Sequence, residues 1–254
     1  MPLHQAGKSK HDLSSIRFCV SGGAPLPVEV KKNFETITGA IVVEGYGLSE
    51  SSPVVCVNPT SGKNKAGSIG LPVPGTTVEI ISVEDGKTIM PLGEKGELCV
   101  RGPQVMKGYW KNIEETDNVL KDGLLHTGDV AIVDADGYVS IVDRIKDMII
   151  INGFKVYPRQ VEEVIYQFPG VEECIVAGVP DPKRGEIVKA WVKAKSGEMV
   201  DTEALRAYLK EHLDNMQLPR AIELRNEPLP KTMIGKLSRK DIVAQELEKQ
   251  KNGA

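Results

Sequence analysis

Residues 143–158 are the part of the sequence that most restricts how this chain can fold. Four ionisable residues fall within positions 143–147 and run directly into an apolar block at 148–151, which Gly153 follows. Charge this dense is rarely found inside a strand, whereas the apolar block is long enough for a buried strand and too short for a helix. Gly153 marks a turn or a close approach of backbone. We therefore interpret the stretch as a hinge and a functional loop between two folded bodies.

Length and composition are those of an ordinary globular protein. A chain of 254 residues exceeds what one typical core serves, so we expect two domains, with one large domain as the alternative. The hydrophobic share of 41% allows a sizeable core, and a net charge of −3 gives no reason to expect a nucleic-acid partner. Residues 144–254 carry a net charge of +2, against −5 before them. This difference indicates either ordinary solvated faces or a site for an anionic ligand.

The cysteines indicate buried free thiols in a reducing compartment. Cys19, Cys56, Cys99 and Cys174 are widely spaced, each beside apolar residues, and the sequence shows neither a C-x-x-C motif nor a Cys/His cluster. We therefore expect neither a zinc site nor a disulfide framework. No apolar run approaches the roughly 18 residues of a membrane span, and the start lacks the apolar core of a signal peptide. The expected location is the cytoplasm.

The first 66 residues predict an α/β unit. Ile16–Val20 alternates apolar and polar residues as a strand does, and it stops at a glycine turn, Ser21–Pro25. Two prolines begin the helix that follows, and Gly39 is placed to end it. Ala40–Val43 is the next strand, and its fully apolar, β-branched sequence is typical of a parallel strand covered on both faces.

Two glycine-containing loops, Ser21–Pro25 and Gly45–Glu50, are expected beyond the carboxyl ends of these strands, where open α/β sheets bind ligands. Their glycines would let backbone approach a planar or phosphorylated ligand, Tyr46 offers a face for stacking, and Glu50 is a carboxylate suited to Mg²⁺. The glycines are Gly22, Gly23, Gly45 and Gly47. Glycine turns after strands are more often only turns, so spacing alone leaves both interpretations open.

Residues 67–143 change to short strands and many turns, which predicts a small, mostly antiparallel β subdomain. Asp136-Gly137 between two apolar stretches predicts a hairpin. Asn112, with Glu115 three residues later, forms a capping box for a short helix. Asp129 stands between a glycine and a strand, where it is placed to cap a turn or to bind sugar hydroxyls.

Residues 144–254 predict a compact α+β domain. A helix begins at Pro158, strands cover Val171–Val179 and Glu186–Lys195, and a second helix is capped by Asp201. The basic segment Lys231–Asp241 is either a solvated face or a phosphate-facing loop, and composition does not choose between the two.

Five motifs follow one another along the chain. They are Ser21-Gly22-Gly23-Ala24-Pro25, Gly45-Tyr46-Gly47-Leu48-Ser49-Glu50, Thr127-Gly128-Asp129, Asp143-Arg144-Ile145-Lys146-Asp147 with Asn152-Gly153, and Pro230-Lys231-Thr232 with Gly235-Lys236 and Arg239. In these motifs and their order, nearly the whole chain resembles the adenylate-forming enzymes, the superfamily of acyl-CoA synthetases, firefly luciferases and peptide-synthetase adenylation domains. Gly102-Pro103 with Gly108-Tyr109-Trp110 is most similar to long- or medium-chain fatty acyl-CoA ligases. The resemblance implies part of the family's fold, an α/β unit and a β subdomain followed by a mobile α+β lid.

The resemblance also implies a reaction. In such enzymes a carboxylate attacks the α-phosphate of ATP, pyrophosphate leaves, and the thiol of CoA then attacks the acyl-adenylate. The expected cofactors are therefore ATP, Mg²⁺ and CoA, with a fatty acid as substrate; a peripheral membrane contact and the oligomeric state stay open. Gly23, Ala24 and Pro25 would border the adenine and the acyl chain. Tyr46 and Gly47 would lie against the base.

The remaining site residues take their roles from the same resemblance. Ser49, where many relatives have Thr, would meet the α-phosphate, and Glu50 would hold Mg²⁺. Asp129 and Arg144 would hold the ribose hydroxyls, a use suited to a carboxylate acceptor and a forked donor. Lys236 would be the catalytic point charge between the attacking carboxylate and the α-phosphate.

The opening stretch becomes a switch under this resemblance. Lys146 is the expected pivot for a large rotation of residues 147–254, which would withdraw Lys236 and present Gly153. The missing side chain of Gly153 would leave room for the pantetheine arm of CoA.

One family feature is absent from the sequence, the Ser/Thr/Gly-rich phosphate loop that should lie well before Ser21. We therefore expect the carboxy-terminal part of a longer enzyme that retains some adenine and ribose contacts but does not complete adenylation alone. Three alternatives stay open: an AMP- or ATP-binding module without turnover, a ligase for another carboxylate, and a truncated product without function of its own.

Overall fold

A computed structural model describes residues 13–24, 26–233 and 235–252 of the chain. The chain forms two compact units, Met1–Ile145 and Lys146–Ala254, which we call the N-terminal and C-terminal units. The three predicted domain ranges, 1–66, 67–143 and 144–254, stay predictions. None of the helices in the described part of the chain has the length and apolar character needed to cross a bilayer.

The N-terminal unit holds two sheets. Its elements are β1 (Phe18–Gly22), α1 (Val28–Thr38), β2 (Ile41–Gly47), β3 (Val54–Val57), β4 (Leu71–Pro72), β5 (Thr77–Ile81), β6 (Gly96–Arg101), α2 (Ile113–Val119), β7 (Leu120–Lys121), β8 (Leu124–Val133) and β9 (Val139–Arg144). The first sheet has the order β1-β2-β3-β4, and the second has the order β5-β6-β8-β7 with β9 beside β8.

The predicted strand, helix and parallel strand at the start are confirmed. β1 and β2 pair in parallel, with Phe18 opposite Ile41, and α1 connects them. Gly39 ends α1 in the left-handed conformation at φ 71°, where its N–H donates to the Glu35 carbonyl. A glycine adopts this dihedral without the steric cost that a Cβ would add.

A buried ion pair joins α1 to β2. Lys31 and Glu44 are only 4% and 6% exposed, and their Nζ and Oε1 atoms lie 3.6 Å apart. Lys31 also donates to Asn64 Oδ1 at 2.8 Å, and Asn64 in turn donates to the Val42 carbonyl. The ammonium is therefore hydrogen-bonded as well as paired, as a buried charge has to be.

The expectation that the parallel strands are covered on both faces is wrong for this chain. Val42 and Val43 are buried, but Phe18, Val20 and Ile41 are 48%, 65% and 45% exposed. Covering both faces of a parallel sheet takes helices on both sides, whereas α1 is the one helix that the structure describes between β1 and β2.

The second sheet and the first sheet share one core. β8 and β9 form the hairpin predicted around Asp136-Gly137, with Val133 opposite Val139. The buried core residues come from both sheets and the segments between them: Val55, Cys56, Ile69, Ile80, Leu98, Val100, Leu125, Ala131 and Val139. Asp143 and Arg144 lie within β9, so the expectation that the charged residues lie outside strands is wrong for these two.

The C-terminal unit is one sheet with helices on both faces. Its elements are β10 (Ile149–Ile151), β11 (Phe154–Val156), α3 (Pro158–Gln167), β12 (Val171–Asp181), β13 (Gly185–Ala194), α4 (Thr202–His212), β14 (Ala221–Arg225) and α5 (Arg239–Asn252). The strand order is β11-β10-β13-β12, with β14 parallel to β13. Pro158 begins α3 and Asp201 caps α4, both as predicted.

Alternation along β12 explains this layering. Cys174 and Val176 join the core that α3 and α4 cover, whereas Ile175 and Ala177 join a second core with Trp191 and α5. Successive residues of a strand point to opposite faces, so a continuously apolar strand needs cover on both sides. The observed α/β and β-rich first unit and small α+β second unit agree with the predicted fold class.

Gly47 lies where two backbone segments meet. A Cβ built on Gly47 would stand 1.7 Å from the Pro53 carbonyl oxygen, whereas a Cβ on Gly45 would have its nearest neighbour, the Cys56 carbonyl oxygen, at 3.5 Å. The space that a side chain at Gly47 would need is thus occupied by the protein's own backbone at Pro53.

We expect Gly47→Ala to lower the free energy of unfolding by about 1–3 kcal/mol, because a side chain there forces a backbone shift in a packed region. Gly45→Ala, two residues earlier on the same strand, is the matched control and should cost much less. Urea unfolding followed by circular dichroism measures both. Equal midpoints for the two variants would contradict the close approach at Gly47.

Candidate nucleotide-binding site

Asp129 lies in a bulge of β8. Glu97 pairs with Val130 and Cys99 pairs with His126, so three residues of β8, Thr127 to Asp129, oppose the single residue Leu98 of β6. A bulge of this kind redirects the side chains that it contains. The Thr127 hydroxyl fixes it by donating to the Leu98 carbonyl at 2.7 Å and accepting from the Asp129 N–H at 3.1 Å.

Both carboxylate oxygens of Asp129 have partners from neighbouring strands. The Tyr46 hydroxyl, at the end of β2, donates to Oδ2 at 2.5 Å. Arg144, directly opposite Asp129 in the β8–β9 ladder, places its Nε 3.3 Å from Oδ1. The structure thus brings together three residues that are predicted to contact the nucleotide.

The environment of this trio sets its protonation. Burial raises the pKa of the Asp129 carboxyl, which is 5% exposed, while the hydrogen bond from Tyr46 and the charge of Arg144 act in the opposite direction. Burial and the neighbouring carboxylate raise the pKa of Tyr46, so the phenol stays a hydrogen-bond donor at neutral pH. The Arg144 side chain is 54% exposed and has donors left for a ligand.

Ser49 and Glu50 lie in a short 3-10 turn, Ser49–Ser51, directly after β2. The Glu50 Oε1 atom accepts a hydrogen bond of 2.7 Å from the Tyr109 hydroxyl, and this contact raises the pKa of Tyr109 to about 12. Ser51, which sequence reasoning missed, is buried and builds the turn: its Oγ donates to the Pro53 carbonyl and accepts from the Leu48 N–H.

The two predicted glycine loops differ from expectation. Gly45, Tyr46 and Gly47 belong to strand β2 and not to a loop beyond it, and the space at Gly47 is taken by Pro53. Gly23 follows β1 with φ 79°, and Ala24 beside it is exposed. The predicted contact at Pro25 lies outside the described residues.

Lys236 lies at the end of a tight loop in the C-terminal unit. The Thr232 N–H donates to the Lys236 carbonyl at 2.7 Å, and the Thr232 hydroxyl accepts from the Lys236 N–H at 3.2 Å. At the base of the loop, Lys231 pairs with Glu173 at 2.5 Å. Within the part of the chain that the structure describes, the Lys236 ammonium makes no hydrogen bond or ion pair.

Arg239, from the same basic segment, has a structural role within the C-terminal unit. It donates to the Val176 carbonyl at 3.1 Å and pairs with Asp147 at 3.2 Å and with Glu162 at 2.6 Å. This arginine therefore anchors the start of α5 to the sheet and to α3.

Gly153 and Lys146 are also defined by backbone geometry. Asn152 and Gly153, at φ 50° and 84°, connect β10 to β11 as the two central residues of a turn with positive dihedrals. A Cβ on Gly153 would meet nothing within 4 Å, so the turn and not crowding accounts for the glycine. Lys146 is exposed in a 3-10 turn, Ile145–Asp147, at the boundary of the two units.

A second cluster lies beneath the bulge, and sequence reasoning missed it. The Glu97 carboxylate accepts from the Gly128 N–H at 2.9 Å and lies 2.8 Å from His126 Nδ1, which also lies 3.4 Å from Cys99 Sγ. The fold thus brings together a cysteine and a histidine that do not form a cluster in the sequence. Residues 27 positions apart meet because β6 and β8 pair, and only the register of these strands could have shown it.

Comparison with known proteins gives consistent matches. The family described as "AMP-binding enzyme" matches residues 1–110, and its C-terminal domain matches residues 160–236. A long-chain-fatty-acid–CoA ligase of Bacillus subtilis is 51% identical over 97% of this chain and 44% of its own length. A feruloyl-CoA synthase of an Amycolatopsis species is 43% identical over 91% of this chain and 46% of its own length. The chain thus spans less than half of these relatives.

A solved structure of an adenylate-forming enzyme is similar to this chain over nearly its whole length. The anthranilate CoA ligase AuaEII, determined in complex with anthranoyl-AMP, superimposes with a TM-score of 0.86 at 33% identity, over 96% of this chain and 48% of that one. The fold described above is therefore part of the adenylate-forming fold. Together, the ordered motifs, the two matched family regions and this likeness show that the chain belongs to the AMP-binding enzyme family.

Proposed function

We propose that this chain is the carboxy-terminal part of an ATP-dependent fatty acyl-CoA ligase, an acid–thiol ligase. The reaction converts a fatty acid, ATP and CoA into acyl-CoA, AMP and pyrophosphate through an acyl-adenylate. The name of the Bacillus subtilis relative, at 51% identity, supports the substrate class. The observation that carries the proposal is the buried Asp129 carboxylate, held between Tyr46 and Arg144.

Asp129 and Arg144 are assigned to the ribose of the nucleotide. Each carboxylate oxygen has two lone pairs, so Asp129 can accept from a ribose hydroxyl while it keeps its contacts to Tyr46 and Arg144. A carboxylate that is oriented before the ligand arrives loses little conformational entropy on binding. Tyr46, held through its hydroxyl, is assigned to the adenine, together with Gly47, Gly23, Ala24 and Pro25.

Ser49 and Glu50 are assigned to the phosphates. Ser49 is exposed directly after β2 and would donate to the α-phosphate. Glu50 fits a Mg²⁺ ligand, because one oxygen is fixed by Tyr109 and the other makes no hydrogen bond or ion pair with the described residues. Mg²⁺ would neutralise phosphate charge when bound.

Lys236 is assigned to the adenylation step. Thr232 fixes its backbone through two hydrogen bonds. Its ammonium makes no hydrogen bond or ion pair with the described residues and is therefore available to a ligand. A lysine in this state is a mobile point charge that can stabilise negative charge as it shifts from the carboxylate to the phosphate.

Gly153 and Lys146 are assigned to the thioester step. The open space around Gly153 suits the close approach of the pantetheine arm of CoA. Lys146 is exposed, so a change of its backbone dihedrals disturbs little buried structure. We place the reaction in the cytoplasm, which the free thiols of all four cysteines support.

Two other functions have specific support. The relative named feruloyl-CoA synthase favours a ligase for another carboxylate, because it is also 43% identical to this chain. Nucleotide binding without turnover is the second, since the Tyr46, Asp129 and Arg144 contacts lie entirely within the N-terminal unit.

Titration of the purified chain with AMP in a calorimeter tests the ribose assignment. We expect Asp129→Asn to weaken binding about 10- to 100-fold, because hydrogen bonds to a charged acceptor contribute about 1.5–3 kcal/mol. Asp85→Asn, in an exposed turn of the same unit, is the control and should bind AMP as the unchanged chain does. Equal AMP affinities for the two variants would show that Asp129 does not bind the ribose.

In the complete ligase, we expect Lys236→Ala to abolish formation of the acyl-adenylate and to spare thioester formation from supplied acyl-adenylate, because only the first step needs the point charge. Pyrophosphate release and acyl-CoA formation are measured separately. Lys240→Ala, an exposed lysine in the same segment, should leave both unchanged. Equal loss of both half-reactions in Lys236→Ala would refute the assignment.

Lys146→Pro in the complete ligase should impair thioester formation more than adenylation, because proline fixes φ and removes the freedom that a hinge needs. Lys146→Ala removes the same charge but keeps that freedom, so it should behave as the unchanged enzyme does. If Lys146→Pro leaves overall acyl-CoA synthesis intact, the hinge assignment is wrong.

A further inference from the structure

The cluster of Glu97, Cys99 and His126 has the arrangement of a metal site. Glu97 and Cys99 are two residues apart on β6 and therefore point to the same face, and His126 on β8 is the direct cross-strand partner of Cys99. One carboxylate oxygen, the thiol sulfur and a ring nitrogen all lie within 4.8 Å of one another. Paired strands hold the backbone of all three residues, so small side-chain rotations suffice to arrange the ligand atoms around a cation.

Three lone-pair donors converge in the cluster. His126 Nδ1 lies 2.8 Å from Glu97 Oε2 and 3.4 Å from Cys99 Sγ. Without a metal, an Nδ1–H group donates to the carboxylate, with the sulfur as a second, weak acceptor. A cation would take the place of that proton and use the lone pairs of all three atoms at once.

The charge around Cys99 also favours a cation. Glu79 on β5 is the cross-strand partner of Cys99 on its other side, so carboxylates flank the thiol from two strands. Two carboxylates beside one thiol give the site a negative charge that a bound cation would neutralise.

We propose that Glu97, Cys99 and His126 bind a thiophilic divalent cation of the Zn²⁺ class. Thiolate and imidazole select this class over Mg²⁺, and three protein ligands leave a fourth tetrahedral position for water. Typical Zn–S and Zn–N lengths place sulfur and nitrogen about 3.5 Å apart in a tetrahedral site, and the observed separation is 3.4 Å. The Glu97 Oε2 and His126 Nδ1 atoms, 2.8 Å apart in their hydrogen bond, would have to separate by about 0.5 Å, which a small rotation of the Glu97 side chain allows. On binding, the thiol proton leaves to solvent as the metal–sulfur bond forms.

The other oxygen of Glu97 keeps a protein partner. It accepts from the Gly128 N–H at 2.9 Å, so the carboxylate is oriented by a hydrogen bond that lies outside the metal shell. Such outer contacts are a regular feature of metal sites, where they fix the ligand. They also connect the proposed site to the bulge that carries Asp129, although the site does not depend on the nucleotide assignment.

Titration of the purified chain with Co²⁺ tests the proposal, because a thiolate–cobalt bond has a charge-transfer absorption. We expect one Co²⁺ per chain, an absorption that Zn²⁺ displaces, and proton release. Cys99→Ser should remove the absorption and lower the Zn²⁺ affinity at least about 100-fold, since even outer-shell changes cost about 10- to 100-fold. Cys19→Ser, a partly exposed thiol in the same unit, is the matched control and should keep both.

His126→Asn is the second variant, with the exposed His212→Asn as its control, and circular dichroism of the metal-free variants monitors folding. His126→Asn should weaken Zn²⁺ binding and His212→Asn should not. The proposal is overturned if the unchanged, folded chain shows no thiolate–cobalt absorption. It is also overturned if Cys99→Ser retains that absorption, which would place the bound metal elsewhere.

Discussion

The interaction that joins the two sheets of the N-terminal unit at the candidate site is made by the buried carboxylate of Asp129. Moving an ionised carboxyl group out of water is costly unless hydrogen bonds and an opposite charge replace the lost hydration. Asp129 meets this condition through Tyr46 on β2 and Arg144 on β9, while the bulge in β8 turns it toward them. Three strands from two sheets must therefore assemble before the carboxylate is satisfied, and the same assembly creates an acceptor with a fixed orientation.

The basic segment of the C-terminal unit contains two paired cations, and a lysine whose ammonium makes no contact with the described residues. Arg239 forms ion pairs with Asp147 and Glu162, and Lys231 forms one with Glu173. These two cations therefore hold the segment against the rest of the C-terminal unit. Lys236 stands between them on a loop that Thr232 closes. A charge that has to act on a ligand is most effective where the protein fixes its backbone and leaves its ammonium without a competing partner.

Local sequence patterns predicted most of the elements but not how distant strands align. A helix start at Pro158, a helix end at Gly39 and a hairpin at Asp136-Gly137 were predicted from the backbone preferences of a few neighbouring residues. All three are confirmed. The meeting of Cys99 with His126 depends on strand register between distant segments, which local periodicity does not contain. The same limit applies to Gly47, where a side chain is excluded by the backbone of Pro53, a close approach that the local sequence does not show.

A crystal structure of the protein with AMP would show whether Asp129 and Arg144 form the ribose end of a nucleotide site. We expect ribose hydroxyl oxygens within hydrogen-bond distance, about 2.5–3.2 Å, of the Asp129 carboxylate and the Arg144 guanidinium, with the Tyr46–Asp129 contact retained. A nucleotide bound elsewhere on the chain, or a ribose turned away from Asp129, would rule out this role for the two residues.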